Sequence, residues 1–122
     1  MILVIRSKLE RLGWSIVLGT QTDLDLLGQF GSVGAALAFL AAHPAHVVLI
    51  DDAVLTLRDC EVLRRLAADG GPRFVLVVHH PVDEAVEPSR YSFASHCLLK
   101  GVSAAELLAS LRLASGRQDR SA

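Results

Sequence analysis

The sequence has almost no net charge. Twelve Lys and Arg oppose thirteen Asp and Glu, leaving −1 over 122 residues. A chain without a basic surplus has little with which to neutralise phosphates, which argues against direct nucleic-acid binding by this segment. Cysteine is scarce too. Cys60 and Cys97 lie far apart with no CxxC or Cys/His ligand spacing, so neither a zinc site nor a disulfide framework is signalled, and a reducing cytoplasm is the expected location. No basic leader precedes the first apolar run, Met1-Ile2-Leu3-Val4-Ile5, which turns charged at once and reads as a strand instead of a signal peptide. Formal charge is missing from Leu26 to Ile50, which raises the question of a membrane span. Gly31-Ser32 and His43-Pro44 interrupt that stretch where a lipid-facing backbone would lose its hydrogen bonds, so no span is expected. There is no G-x-S-x-G elbow, and Gly70-Gly71-Pro72 is a turn ahead of a strand, not a phosphate cradle opening a helix.

What is present is apolar: 52% of the residues are hydrophobic, enough for one folded domain around one core. Four runs read as strands buried on both faces, Ile2–Ile5, Asp25–Phe30, His46–Ile50 and Phe74–Val78, with Cys97–Leu99 as a fifth. Helical segments lie between them. Ser7 and Glu10 form a capping-box pattern ahead of a first helix, one face of which is marked by Leu9, Leu12, Gly13 and Ile16. Ser32 caps a second helix running to about Ala42, and Asp59 caps a third through Leu63, Leu66 and Ala67. Ser103 and Glu106 repeat the box before a last helix striped by Ala104, Leu107, Leu108, Leu111 and Ala114. The segment from Pro81 to Phe93 is the weak one, because Pro88 falls where a helix interior would be.

This alternation predicts an α/β, flavodoxin-like (βα)5 doubly wound parallel sheet, strand order 2-1-3-4-5, over residues 1–115. Residues 116–122 are polar and read as a linker or disordered tail. In such sheets ligands bind beyond the carboxyl ends of the strands. The positions there are Arg6 and Ser7, then Asp51 and Asp52, then His79 and His80, and finally Lys100.

At these positions the sequence resembles the receiver domain of two-component response regulators, in the branch that carries a LuxR/NarL-type helix-turn-helix. The resemblance is carried by Leu26-Leu27-Gly28-Gln29-Phe30, Ala35-Ala36-Leu37, Val47-Val48-Leu49-Ile50-Asp51 and the segment from Cys97 to Leu108 with its Lys100-Gly101. It implies that Asp51 takes the phosphoacceptor's place and Lys100 that of the lysine pairing with the phosphoryl group. It also implies a helix-turn-helix DNA-binding domain as the expected continuation. The departures are as specific as the matches. Arg6 and Ser7 replace the acidic pair that holds Mg²⁺, His79 replaces the Thr or Ser after the fourth strand, and Cys97 replaces the aromatic switch residue. Val54-Leu55 stands for the usual Met-Pro, and Asp59 for the glycine before the third helix.

With that pair gone, Asp51 reads as a structural anion held by cations, with Arg6 as its salt-bridge partner and Lys100 as a second. Mg²⁺ binding is expected to be weak or absent, and no other cofactor or metal is expected. Asp52 should point away, since adjacent strand residues face opposite sides unless the alternation lapses at the strand end; the same rule disfavours a metal site at His79-His80. His43, His46 and His96 read as loop or surface residues, Trp14, Phe39 and Phe74 as packing, and Cys60 and Cys97 as buried small hydrophobes. The expected function is that of an atypical, non-enzymatic receiver in signal transduction and transcription regulation, acting by protein association or ligand binding. The alternatives are a receiver phosphorylated with unusual ligands and a flavodoxin-like small-molecule-binding or enzymatic domain. A homodimer is expected through the last helix, where Leu113 lies off the buried stripe.

Overall fold

The computed structural model describes residues 1–81 and 90–116. Five strands, β1 (Ile2–Val4), β2 (Gly28–Phe30), β3 (Val47–Asp51), β4 (Arg73–Val78) and β5 (Ala94–Leu99), form one parallel sheet in the order β2-β1-β3-β4-β5. Helices α1 (Lys8–Gly19), α2 (Val33–Ala42), α3 (Leu57–Ala68) and α4 (Ala104–Ser115) connect or follow them, and a 3-10 turn (Asp52–Val54) leaves β3. Residues 82–89, in the weak segment, and the tail from 117 lie outside the described residues. No helix among the described residues is long and apolar enough to cross a membrane.

The sheet separates two cores. Ile2, Val4, Val48, Ile50, Phe74 and Leu76 pack with α2 and α3, while Leu3, Ile5, Val47, Leu49 and Val75 pack with α1 and α4. The alternation of strand side chains sorts them, and β1 and β3 are buried throughout because both have a strand on each side and helices on both faces. Phe74 is fully buried, while Trp14 and Phe39 pack at the margins of their cores.

Three helix starts follow the sequence pattern. Ser7, Ser32 and Ser103 accept from the backbone N–H groups of Glu10, Ala35 and Glu106 at 3.3, 3.3 and 3.1 Å. The reciprocal half of the box is absent at Ser7, since the Glu10 carboxylate turns elsewhere, and none forms at Ser103. A complete capping box occurs where it was not expected. Thr56, not Asp59, caps α3, with Asp59 N–H donating to Thr56 Oγ1 at 3.1 Å and Thr56 N–H to Asp59 Oδ2 at 3.0 Å. At the other end of α3, a Cβ on Gly71 would meet the Leu66 carbonyl oxygen at 2.6 Å, so only glycine lets the chain turn there into β4.

Four expectations fail. The apolar stripe of α1 faces outward, with Leu9, Leu12 and Ile16 exposed at 78%, 56% and 63%, because Trp14, Val17 and Leu18 occupy the inner face. β2 is a three-residue edge strand, not one buried on both faces. Cys97 is exposed, since β5 is the other edge and its side chains alternate between half-buried and exposed. On the same strand His96 is half-buried, and its Nδ1 has no hydrogen-bond partner.

Candidate functional site

The parallel sheet brings the ends of β1, β3, β4 and β5 to one edge, where the predicted residues gather. Asp51 is the last residue of β3 and one of two buried polar or charged residues among those described. In the alternation of β3 it follows Val47 and Leu49, so it faces the α1 and α4 side of the sheet. Its Oδ1 accepts from the Ala53 N–H at 3.1 Å and so caps the 3-10 turn. That turn redirects the chain, and Asp52 swings back toward β4 instead of pointing to the opposite face. The Asp52 Oδ2 accepts from the His79 backbone N–H at 3.1 Å, and Oδ1 is in hydrogen-bond contact with His79 Nδ1. His79 Nδ1 also lies 3.4 Å from Asp51 Oδ1. One imidazole nitrogen thus faces two carboxylates, and a donor atom from each of the three residues lies within 4.8 Å of the others.

Lys100 completes the edge. It sits at the end of β5 ahead of Gly101, whose φ of +100° lies in the left-handed region that suits glycine. Its Nζ donates to Glu10 Oε1 at 2.5 Å and lies 3.4 Å from His79 Nε2. Glu10 comes from the first turn of α1, so this pair ties α1 to the loop before α4. The expected direct partnership of Lys100 with Asp51 is therefore replaced by one with Glu10.

Arg6 does not pair with Asp51. It is exposed, and among the described residues it makes no ion pair. The place beside Asp51 is taken by the His79 ring, because β1 ends at Val4 and the chain leaves the sheet before Arg6 can turn inward. Ser7 is committed to capping α1. The guanidinium that does pin this corner belongs to Arg11, which donates to the Ile5 and Arg6 carbonyls at 2.6 and 3.2 Å. His80 is exposed and takes no part in the cluster. Glu10 and Arg11 are the residues that sequence reasoning missed at this site, whereas Asp52 stood among the candidates and the alternation does lapse there. A first-turn acid facing a strand-end lysine was the available signal for Glu10.

The electrostatics follow from these contacts. Burial pushes the Asp51 carboxyl above the ordinary carboxylate range, with the neighbouring Asp52 adding to the effect. For Asp52 burial works in the same direction, but the side-chain and backbone hydrogen bonds from His79 outweigh it and hold the group below that range. The hydrogen bond to Glu10 raises Lys100. Asp52 is thus the settled anion of the pair.

Beside the cluster lies a cavity of about 220 Å³, walled by apolar side chains including Ile5, Trp14, Val77 and Leu107, with Asp51, His79, Lys100 and Glu10 also lining it. A larger, more open cleft of about 560 Å³ lies at the opposite end of the strands, around Pro44, His46 and Pro72. Asp51 and His79 line the smaller of the two.

The Mg²⁺ ion that receiver chemistry implies does not fit these residues. Mg²⁺ asks for near-octahedral oxygen ligation. Here one of the three donors is an imidazole nitrogen, and the end of β1 carries an arginine and a serine where carboxylates would be needed.

No family model matches the chain, and no curated protein matches it in sequence. Solved structures do. The signal receiver domain of the response regulator NarL from Mycobacterium tuberculosis superposes with a TM-score of 0.77 at 24% identity over 95% of each chain. The response regulatory domain of mrkE from Klebsiella pneumoniae gives 0.76 at 18% identity over 98% of this chain and 97% of that one. A DNA-binding response regulator of the LuxR family from Staphylococcus aureus gives 0.78 at 16% identity, over 93% and 96%. At such identities the likeness is one of architecture, and the chain folds as the receiver domains of response regulators do.

Proposed function

We propose that the chain is an atypical receiver domain: a non-catalytic signalling module of a cytoplasmic transcription regulator that works without ordinary Mg²⁺-dependent aspartyl phosphorylation. One observation carries the reading. The His79 imidazole, itself fastened to Asp52, lies 3.4 Å from Asp51 at the position where the family has a Thr or Ser, while the end of β1 offers an exposed Arg6 and a capping Ser7. A phosphoacceptor attacks as a carboxylate, and burial works against that form by raising the Asp51 carboxyl above its ordinary range. Lys100, the natural partner for a phosphoryl oxygen, is engaged by Glu10.

Without phosphorylation as trigger, the module acts by association with a partner or a second copy, or by ligand binding beside Asp51. The homodimer reading is supported by exposed apolar side chains on the two helices of one face, Leu9, Leu12 and Ile16 of α1 and Leu113 of α4. The similarity to a LuxR-family DNA-binding regulator supports the transcriptional setting. The test is to incubate the protein with a small acyl phosphate and Mg²⁺ and weigh it. The expected mass is unchanged, and a stoichiometric gain abolished by Asp51→Asn would overturn the reading.

A further inference from the structure

The donors that gather beside Asp51 suit another kind of ion than Mg²⁺. Two carboxylates and one imidazole converge from β3, the 3-10 turn and β4, each donor atom within 4.8 Å of the other two. His79 Nδ1 lies 3.4 Å from Asp51 Oδ1, a separation that two ligands of one small cation can share. The cluster is not an exposed patch of acids. Asp51 is buried, Asp52 and His79 are half-buried, and all three are anchored: Asp51 by the Ala53 N–H, Asp52 by the His79 N–H, His79 by its place at the end of β4. The side toward α1 and α4 opens on the cavity of about 220 Å³, room for an ion to enter and for waters to fill its remaining positions. Imidazole with carboxylates suits first-row transition ions, while Mg²⁺ keeps to oxygen.

We propose that Asp51, Asp52 and His79 form a divalent transition-metal site, selective for ions such as Zn²⁺, Co²⁺ or Mn²⁺ over Mg²⁺, with His79 Nδ1 and one oxygen of each carboxylate as ligands. Two carboxylates neutralise the ion, so the buried set carries no uncompensated charge. Nδ1 gives up its hydrogen, which then resides on Nε2. There it faces the Lys100 ammonium, 3.4 Å away, which withdraws to the Glu10 carboxylate it already contacts at 2.5 Å. Lys100 therefore opposes the ion electrostatically, although it is not a ligand. The inference stands on the cluster's geometry and does not require that the chain be inactive toward phosphoryl donors.

The test is titration of chelator-treated protein with Co²⁺, followed by its visible absorption, with Zn²⁺ competition and a parallel Mg²⁺ titration. One ion per chain, displaced by Zn²⁺ and indifferent to excess Mg²⁺, is expected. His79→Gln keeps an amide donor near Asp52 but removes the imidazole ligand; it and Asp52→Asn should each weaken binding at least tenfold with far-UV circular dichroism unchanged. Lys100→Met should tighten binding severalfold, an effect that a merely structural lysine would not produce. Absence of binding at millimolar Co²⁺, equal displacement by Mg²⁺, undiminished binding by folded His79→Gln, or unchanged or weaker binding by Lys100→Met would each overturn the site.

Discussion

The carboxylate of Asp52 is held at both oxygens by a single residue, His79. The backbone N–H donates to Oδ2 at 3.1 Å and the ring Nδ1 meets Oδ1, across 27 positions of sequence. This pair joins the turn after β3 to the end of β4, and it fixes the imidazole where it also faces Asp51.

Removing that acceptor should therefore destabilise the fold. Asp52→Ala leaves the half-buried His79 N–H without its partner, and a loss of about 1–3 kcal/mol is expected from chemical denaturation. Arg6→Ala, which disturbs no ion pair among the described residues, should stay within about 0.5 kcal/mol of the parent. A larger effect at Arg6 than at Asp52 would mean that Arg6, and not the Asp52–His79 pair, braces this corner.

Light scattering over a concentration series addresses the outward apolar residues. A dimer mass is expected, reverting to the monomer on Leu12→Glu or Leu113→Glu, and whichever substitution dissolves the pair locates the contact on α1 or on α4. Both side chains are about half exposed, so neither change should cost more than about 0.5 kcal/mol of stability. A monomer mass at every concentration would remove the homodimer.

Thr56→Ala takes away the cap of α3 and should cost about 1 kcal/mol. An unchanged denaturation midpoint would mean that the helix begins nearer Asp59.

The two thiols should differ in their pH profiles. Burial pushes Cys60 above the usual thiol range, which leaves less thiolate at a given pH, whereas Cys97 is exposed. Alkylation at neutral pH should modify Cys97 first, with Cys60 reacting only as the pH rises further; equal rates would contradict the burial of Cys60.

Much of this architecture was legible because it depends on local rules. A serine just ahead of a helical apolar period is a natural cap, and Ser7, Ser32 and Ser103 all serve as one. Strand order followed from the alternation of elements. The facing of α1 was not legible, because the helix carries two apolar stripes and periodicity alone cannot say which meets the sheet. Leu9, Leu12 and Ile16 compete on paper with Trp14, Val17 and Leu18, and only the packing against Leu107 and Leu111 decides. At the site, Asp51, His79 and Lys100 could be placed at the strand ends, but their partners could not. Those depend on the 3-10 turn that bends Asp52 back and on the reach of Glu10 from α1, neither of which follows from the alternation of a strand.

The Lys100 to Glu10 contact gives the edge a lever. Any anion that drew the ammonium toward Asp51 would have to take it from Glu10, and any cation seated on His79 would drive it the other way, so charge of either sign arriving there alters the tension on the first turn of α1. The far end of that helix is moored separately, through Arg112 to Gln21 and Asp23 at 2.6 and 2.7 Å. With Arg11 pinning the near end to the Ile5 and Arg6 carbonyls, the Glu10 side chain is the adjustable contact of α1, the helix that shows three large apolar side chains to solvent.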